Sequence, residues 1–330
     1  MRKFLKVVAS GVAALAIATM AGCSSAAPAP SSGGENSAAP EGGQKYAVVL
    51  KVLSSEFWQK MEKGVKDKAA ELGVTVDVYA ANSEDDVEGQ VAVAENLLDK
   101  GYAGIGVAPL TGDNLVNVVA KATQAGIPVV NLDEKINMDS LAAAGGAALG
   151  FVTTDNVAVG ATGAKYIVDQ LGSAGGQVAI IEGKAGTASG EDRKQGATDT
   201  FKAAAGIELV DSQPADWDRT KAYDLATNYI AKNPDLKAIY CANDTMAMGA
   251  QQAVEDSGKA ILVVGTDGNA DAVESVKAGK LAATVAQDSA GVGAAGLQML
   301  VDFVKSGKKF DASVQVETKY IDAILITKDA

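Results

Sequence analysis

The stretch IPVVNLDEK, residues 127–135, decides the interpretation of the fold. Its apolar part predicts a short strand, because continuous branched aliphatic runs are typical of sheets that are covered on both faces. Asn131, Asp133, Glu134 and Lys135 then place an amide, two carboxylates and an ammonium where the strand ends. In open α/β sheets this edge is where ligands bind. The stretch therefore predicts a parallel sheet that presents polar side chains to a ligand.

Similar apolar runs alternate with amphipathic helical patterns along the rest of the chain. Strands are predicted at 47–50, 74–78, 104–108, 129–132, 178–181, 207–210, 238–241, 261–264, 283–285 and 321–326. This alternation is typical of βαβ units and a parallel sheet. The pattern also restarts halfway, since residues 104–109 correspond to 238–243 and residues 127–135 to AILVVGTDG. We therefore expect an α/β protein with two similar domains.

The amino-terminal segment has the pattern of an export signal. Arg2, Lys3 and Lys6 precede an apolar run that is too short to be preferred as a membrane span, and small residues follow. The ending Ala21-Gly22-Cys23 resembles a bacterial lipoprotein signal, which implies lipidation of Cys23. We expect a signal peptide at 1–22 and a flexible Ala-, Pro-, Ser- and Gly-rich tether at 23–44. The alternative is plain secretion with cleavage near Ala21.

Charge and composition exclude several classes of function. Removing the signal's three cations leaves 26 Lys and Arg against 41 Asp and Glu, a net charge of about −15, which argues against a nucleic-acid partner. The chain has no His, so a His-based triad or zinc site is excluded. If Cys23 carries lipid, no disulfide is possible, and Cys241 is expected to be a small buried apolar residue.

Polar side chains recur at the predicted strand ends of both halves. They are Lys51, Asp133, Glu134, Asn243, Asp267 and Gln287, with Arg193 and Arg219 nearby. Sugar hydroxyls both donate and accept hydrogen bonds, so a mixture of carboxylates, amides and cations suits them. Sugar C–H faces need flat apolar surfaces, which Phe57, Trp58 and Trp217 can supply. For Trp58, the helical spacing of its apolar neighbours also fits a core position.

At these residues the chain resembles the periplasmic sugar-binding proteins of ABC importers, in the ribose, allose and galactose branch. The resemblance rests on VLKVLSSEFW, NLDEKINMDSL, FVTTDNVAVGA, AIIEGKAGTASGE, SQPADWDRTKA, AIYCANDTMAMGA, VVGTDG and ATVAQ, which occur in family order. It implies the type I fold of that family, with two Rossmann-like doubly wound parallel-sheet domains joined by a three-segment hinge. The implied amino-terminal domain comprises 45–153 and 288–318, and the carboxy-terminal domain comprises 154–287 and 319–330.

The resemblance also implies a ligand set. It comprises Lys51, Ser55, Phe57, Trp58, Asp133, Glu134, Glu191, Arg193, Trp217, Asn243, Asp267 and Gln287. Two positions depart from the ribose-binding pattern: the family's NNPFF is SSEFW here, and its first Arg after the AGT turn is Glu191. Together with Lys51, these departures favour a larger hexose of the D-allose kind over ribose.

The resemblance implies an exported, monomeric solute-binding protein without a cofactor. Its partners would be a monosaccharide, an ABC permease and the membrane through a lipid anchor, and its location would be periplasmic or the outer face of the cytoplasmic membrane. A pentose ligand and a sensory role with a chemoreceptor or kinase stay open. A glycosidase is disfavoured, because the adjacent Asp133 and Glu134 would point to opposite faces of a strand. A LacI-type regulator would need an amino-terminal helix-turn-helix in place of the export signal.

Overall fold

The structure, a computed structural model, describes residues 44–329. The predicted signal peptide, Cys23 and all of the tether except residue 44 lie outside the described residues. Within 44–329, no helix has both the length and the apolar character that a membrane crossing requires.

The described chain alternates strands and helices from its first residues to its last. The strands are β1 (Lys45–Leu50), β2 (Thr75–Ala80), β3 (Gly104–Val107), β4 (Val129–Leu132), β5 (Gly150–Thr153), β6 (Gly176–Glu182), β7 (Ile207–Pro214), β8 (Leu236–Cys241), β9 (Leu262–Asp267), β10 (Ala283–Gln287), β11 (Glu317–Tyr320) and β12 (Ala323–Thr327). The α-helices are α1 (Glu56–Leu72), α2 (Val87–Glu95), α3 (Val116–Gln124), α4 (Met138–Ala143), α5 (Asn156–Leu171), α6 (Ala188–Ala203), α7 (Arg219–Lys232), α8 (Asp244–Ser257), α9 (Ala270–Lys277) and α10 (Ser289–Lys305).

The strands form two six-stranded sheets. The first has the order β11-β5-β4-β3-β1-β2 and the second has the order β12-β10-β9-β8-β6-β7. All neighbours are parallel except β10 and β12, which are antiparallel. The predicted last strand at 321–326 is wrong in one respect: Ile321 and Asp322 separate two short strands that belong to different sheets.

Each sheet is covered on both faces by helices. Alternate residues of β1 show this, since Val48 and Leu50 belong to one buried apolar cluster while Ala47 and Val49 belong to another. In β6, Val178 and Ile180 separate from Ala179 and Ile181 in the same way. Because successive strand residues point to opposite faces, each sheet lies between two cores. The predicted doubly wound α/β fold is confirmed.

The chain passes between the two sheets three times. It leaves the first sheet after Thr153, returns after Gln287 and leaves again after Tyr320. The two sheets with their helices are called lobe 1 (44–153 and 288–320) and lobe 2 (154–287 and 321–329) below. The sequence predicts that the chain crosses between domains after residues 153, 287 and 318. In the structure β11 pairs with β5 as far as Tyr320, so the third crossing between the sheets comes after residue 320.

Candidate functional site

A cavity of about 220 Å³ lies between the lobes, at the carboxyl ends of the strands of both sheets. Its walls are mixed in character, with carboxylates, cations, hydroxyls, an amide and three aromatic rings. The lining residues are Lys51, Val52, Ser54, Ser55, Phe57, Trp58, Glu84, Asp133, Ser189, Arg193, Trp217, Asn243, Thr245 and Asp267.

Lobe 1 contributes the ends of its central strands and the first turn of α1. Lys51 directly follows β1 and Asp133 directly follows β4, and both side chains are buried. Phe57 and Trp58 belong to the first turn of α1, where their ring centroids lie 5.0 Å apart in an edge-to-face arrangement. The Lys51 ammonium lies 5.8 Å from the Trp58 ring centroid, so cation and ring form one wall.

Lobe 2 contributes the other wall. Asp267 ends β9 and accepts a hydrogen bond from Gln287 Nε2 at 2.7 Å. Asn243 follows β8 by two residues and caps α8, because its Oδ1 accepts from Met246 N at 2.8 Å. The capping bond uses the oxygen of Asn243 and leaves its NH₂ group as the donor toward a ligand.

Residues of lobe 2 hold the Arg193 side chain in position. Its Nε donates to Asn156 Oδ1 at 2.8 Å and its Nη1 donates to the carbonyl of Ala242 at 2.7 Å. The guanidinium carbon lies 5.7 Å from the Trp217 ring centroid, and Nη1 lies 3.6 Å from Asp267 Oδ1. A guanidinium has five N–H donors, so these two hydrogen bonds fix its plane and leave others for the cavity.

Backbone strain is concentrated at the cavity. Within residues 44–329, the non-glycine residues with positive φ are Asp133 (58°), Asp216 (53°), Trp217 (64°) and Asp267 (120°), and three of the four line the cavity. Such conformations cost of order 1–3 kcal/mol each and persist where the surroundings enforce them. For Asp133 those surroundings are visible, since its N–H donates to Val152 O and its carbonyl accepts from Thr153 Oγ1. The location of these conformations therefore favours the cavity as the candidate functional site.

Glu134 lies beneath the cavity and joins the two lobes. Its Oε2 lies 3.0 Å from Lys51 Nζ and accepts from Ser189 Oγ at 2.8 Å, and its Oε1 accepts from the N–H of Ala188. Lys51 belongs to lobe 1, whereas Ala188 and Ser189 begin α6 in lobe 2. The carboxylate is fully buried, and protein donors approach both of its oxygens.

Burial perturbs the ionisation of the cavity carboxyls. It raises the pKa of Asp133 to about 6 and that of Asp267 to about 6, against the opposing effect of the Arg193 cation on both. Burial also raises the pKa of Glu84. Burial lowers the pKa of Lys51, but Glu134, Glu84 and Asp133 together outweigh this and leave it raised. The Lys51 ammonium is therefore charged at neutral pH, and the raised pKa values of about 6 belong to Asp133 and Asp267.

The structure brings most of the predicted ligand set together. The predicted residues that line the cavity are Lys51, Ser55, Phe57, Trp58, Asp133, Arg193, Trp217, Asn243 and Asp267. Glu134 and Gln287 lie behind the wall, bonded to Lys51 and Asp267 respectively.

Glu191 does not line the cavity. It is exposed, accepts from Gly186 N at 3.2 Å and lies 3.5 Å from Lys194 Nζ. The reason is helical periodicity, because Ser189 and Arg193 are four residues apart on the face of α6 that meets the cavity, whereas Glu191 lies between them on another face.

Sequence reasoning missed Val52, Ser54, Glu84, Ser189 and Thr245 among the lining residues. A signal existed for Glu84, which follows β2 by four residues and so belongs to the same carboxyl edge as Lys51 and Asp133. It is the first of three consecutive acidic residues, and the sequence does not distinguish it from Asp85 and Asp86. In the described part of the chain, no group of three or more Cys, Asp or Glu side chains is arranged to hold a metal ion.

The fold and the site have counterparts among known proteins. The sequence profile described as "Periplasmic binding protein domain" matches residues 46–309, and the chain belongs to the periplasmic binding protein family. The resemblance identified from the sequence is thereby confirmed.

Two relatives illustrate the range within the family. The chain is 57% identical over 286 residues to the D-allose-binding periplasmic protein of Escherichia coli (strain K12), covering 86% of this chain and 92% of that protein. It is 34% identical over 275 residues to the ribose import binding protein of Haemophilus influenzae, covering 83% of this chain and 90% of that protein. Both relatives are named as binding proteins.

Solved structures agree with this placement. An ABC transporter periplasmic solute binding protein from Actinobacillus succinogenes 130z with bound D-allose has a TM-score of 0.80 at 32% identity, covering 87% of this chain and 98% of that chain. A solute binding protein from Bacillus halodurans C-125 with bound myo-inositol has a TM-score of 0.76 at 27% identity, covering 87% and 96%. The type I periplasmic binding protein fold is therefore shared with proteins that hold different polyhydroxylated ligands.

Proposed function

We propose that this chain is the extracytoplasmic sugar-binding component of an ABC importer and that it binds one monosaccharide in the interlobe cavity. The observation that carries the proposal is the pairing of charged groups with aromatic rings on both walls: Asp133, Lys51 and Trp58 from lobe 1 face Asp267, Arg193 and Trp217 from lobe 2. Sugar hydroxyls would donate to the carboxylates and accept from the cations, while the rings would cover C–H faces.

A hexose of the D-allose type is the favoured ligand. The support is the 57% identity to a D-allose-binding protein together with two lining residues, Lys51 and Glu84, which offer the cavity a donor and an acceptor. An additional hydroxyl would satisfy them. D-Ribose is the second candidate, because relatives named for ribose are 34% identical.

Selectivity would arise from burial. When the lobes enclose the sugar, an epimer with one misplaced hydroxyl leaves a buried carboxylate, cation or amide without a partner, at a cost of about 1–3 kcal/mol. That corresponds to about five- to 150-fold in affinity per hydroxyl. Closure around the sugar would change the surface of the protein, and the permease would recognise this closed form. Sugar recognition and delivery to the permease would therefore depend on the same closing motion.

The proposal excludes chemistry on the sugar. Asp133 lines the cavity, whereas the adjacent Glu134 is held beneath it by Lys51, Ala188 and Ser189, so the two carboxylates do not flank one bond. Recovery of D-allose chemically unchanged after long incubation with the protein is the expected result. Conversion of the sugar would contradict the proposal.

Delivery and anchoring complete the proposal. We expect Cys23 to be lipidated, which would hold a monomeric binding domain near its permease at the membrane surface by way of the tether. Mass spectrometry of the membrane-extracted protein tests this: a diacylglyceryl-modified Cys23 peptide is expected, and an unmodified amino terminus near residue 22 would indicate plain secretion.

A thermal-shift panel of aldohexoses and aldopentoses tests the ligand class. A ligand that binds only the folded protein raises its unfolding midpoint by mass action. D-Allose is expected to give the largest shift, with D-ribose smaller. A large ribose shift with none for allose would overturn the hexose assignment, and no shift with any sugar would overturn the proposed function.

A further inference from the structure

Lobe 2 helices differ in how their amino termini are capped. An α-helix begins with N–H groups that have no partner within the helix, and a side-chain oxygen of the preceding residue usually accepts from one of them. In α5, α7 and α8 this residue is Asp155, Asp218 and Asn243 respectively, each bonded to an N–H of its own first turn. The amino termini of these three helices are therefore capped by residues of lobe 2 itself.

The other two lobe 2 helices, α6 and α9, lack such a bond. Thr187 precedes α6 and Asn269 precedes α9, and both residue types are good caps, yet neither side chain accepts from its helix. Thr187 Oγ1 instead donates to the carbonyl of Lys184 at 2.7 Å.

Lobe 1 supplies carboxylates to these two helix ends. Glu134 accepts from the first N–H of α6, at Ala188. Glu56 accepts from the first N–H of α9, at Ala270, with both carboxylate oxygens 3.0 Å from the nitrogen. The positive end of a helix dipole favours an anion, so each contact gains from charge as well as from the hydrogen bond.

Neighbouring groups reinforce the two contacts. Lys60 lies 2.9 Å from Glu56 and donates to the carbonyl of Gly268 in lobe 2 at 2.8 Å. Ser189 adds its hydroxyl to Glu134. Both capped helices also adjoin the cavity, since α6 carries Arg193 and α9 begins three residues after Asp267.

We propose that Glu134 and Glu56 form a two-point latch that stabilises the closed arrangement of the lobes by capping α6 and α9 from across the cleft. Glu134 thereby acts as a positioning residue, because it contacts both Lys51 in lobe 1 and the first N–H of α6 in lobe 2. Glu56 contacts α9 at the rim of the cavity and does not line it. Opening the lobes would break both caps. The latch rests on the proposed function only for the identity of the ligand that accompanies closure.

The Glu56→Ala variant tests the latch, because Glu56 is at the surface and its removal leaves the cavity walls intact. The matched control is Glu62→Ala, which removes a carboxylate from the same helix and breaks the same kind of i,i+4 pair, with Lys66 at 2.6 Å. We expect Glu56→Ala to weaken D-allose binding about two- to thirtyfold relative to the control, the range that losing a helix cap produces.

Hydrogen exchange provides a readout that a general loss of stability would not give. In the unsubstituted protein, D-allose is expected to slow amide exchange in the first turns of α6 and α9, where lobe 1 carboxylates accept from the first N–H groups. In Glu56→Ala the slowing in α9 should disappear while that in α6 remains. Equal affinity and equal exchange in Glu56→Ala and Glu62→Ala would overturn the latch.

Small-angle scattering without sugar separates the latch from the ligand assignment. We expect the sugar-free protein to populate both open and closed arrangements, with the latch favouring the closed one. The radius of gyration of sugar-free Glu56→Ala should therefore exceed that of sugar-free Glu62→Ala, and equal radii would count against the latch. If the radii differ but no monosaccharide binds the unsubstituted protein, the latch stands and the proposed function fails.

Discussion

The Lys51 ammonium and the Glu134 carboxylate form a buried ion pair at 3.0 Å, with side-chain exposures of 3% and 0%. Removing one member of such a pair is costly, because the other is left charged without its partner. We expect Lys51→Met to lower the free energy of unfolding by about 3–5 kcal/mol. Urea denaturation monitored by circular dichroism measures this.

The matched control for this variant is Lys165→Met. Lys165 pairs with Asp169 at 2.8 Å on the exposed face of α5, where ion pairs contribute little. A change within about 0.5 kcal/mol is expected there. Similar effects of the two substitutions would show that the Lys51–Glu134 pair has no special structural role.

Both tryptophans of the chain, Trp58 and Trp217, line the cavity. Ligand binding should therefore change the intrinsic tryptophan emission without any label, because a sugar alters the polarity around both indoles. A saturable spectral change is expected on titration with D-allose. The single variants Trp58→Phe and Trp217→Phe should each retain part of it, and an unchanged spectrum at saturating sugar would contradict the placement of the rings.

Gly183 allows the Trp217 ring to approach the end of β6. A Cβ atom at this position would overlap the indole, so Gly183→Ala must displace the ring from the cavity wall. We expect sugar affinity to fall about tenfold or more while the circular dichroism spectrum is unchanged. Gly112→Ala is the control, because its Cβ would lie 3.5 Å from the nearest atom. Equal affinities of the two variants would argue against a ligand contact by Trp217.

Sugar binding should depend on pH near 6. Asp133 and Asp267 both have a pKa raised to about 6 by burial, and sugar hydroxyls that donate to them bind the ionised form. Binding thus lowers both pKa values, so affinity is constant above about pH 7 and falls as pH drops through 6. At pH 5 each group is about one-tenth ionised, which gives up to about a hundredfold loss for the pair.

Calorimetry checks this dependence directly. Binding at pH 6 should release protons, so the apparent enthalpy should vary with the ionisation enthalpy of the buffer. Circular dichroism at pH 5 controls for acid unfolding. An affinity that is the same at pH 8 and pH 5 would show that neither carboxylate accepts from the sugar.

The site residues that could be predicted from the sequence alone are those at the carboxyl ends of strands. Lys51, Asp133, Asn243 and Asp267 each follow or end an apolar run, and the parallel sheets bring such positions to one edge. The same rule does not reach residues on helices, where the face that meets the cavity depends on how the helix packs. The resemblance, and not the strand-end rule, placed Glu191 in the ligand set, whereas Ser189 and Arg193 occupy the face of α6 that meets the cavity.

Other features arise only from tertiary structure. Trp217 rarely adopts a positive φ as a residue type, and although Asp does so more often, nothing in the local sequence singles out Asp133 and Asp267 among the many Asp residues. The capping of α6 by Glu134 joins residues from different lobes that are 54 positions apart in sequence. The strand-end position and the resemblance predicted Glu134 as a sugar ligand, and they gave no sign of its contacts with Lys51, Ala188 and Ser189.

Isothermal titration of D-allose into the purified protein and into its Asp267→Asn variant tests the central claim most directly. Asn suits this position because it retains the shape of Asp and removes the negative charge. We predict one saturable site in the unsubstituted protein and a loss of affinity of about ten- to a hundredfold in Asp267→Asn, the range for a hydrogen bond to a charged group. No binding of D-allose or D-ribose, or equal affinity in the two proteins, would contradict the account.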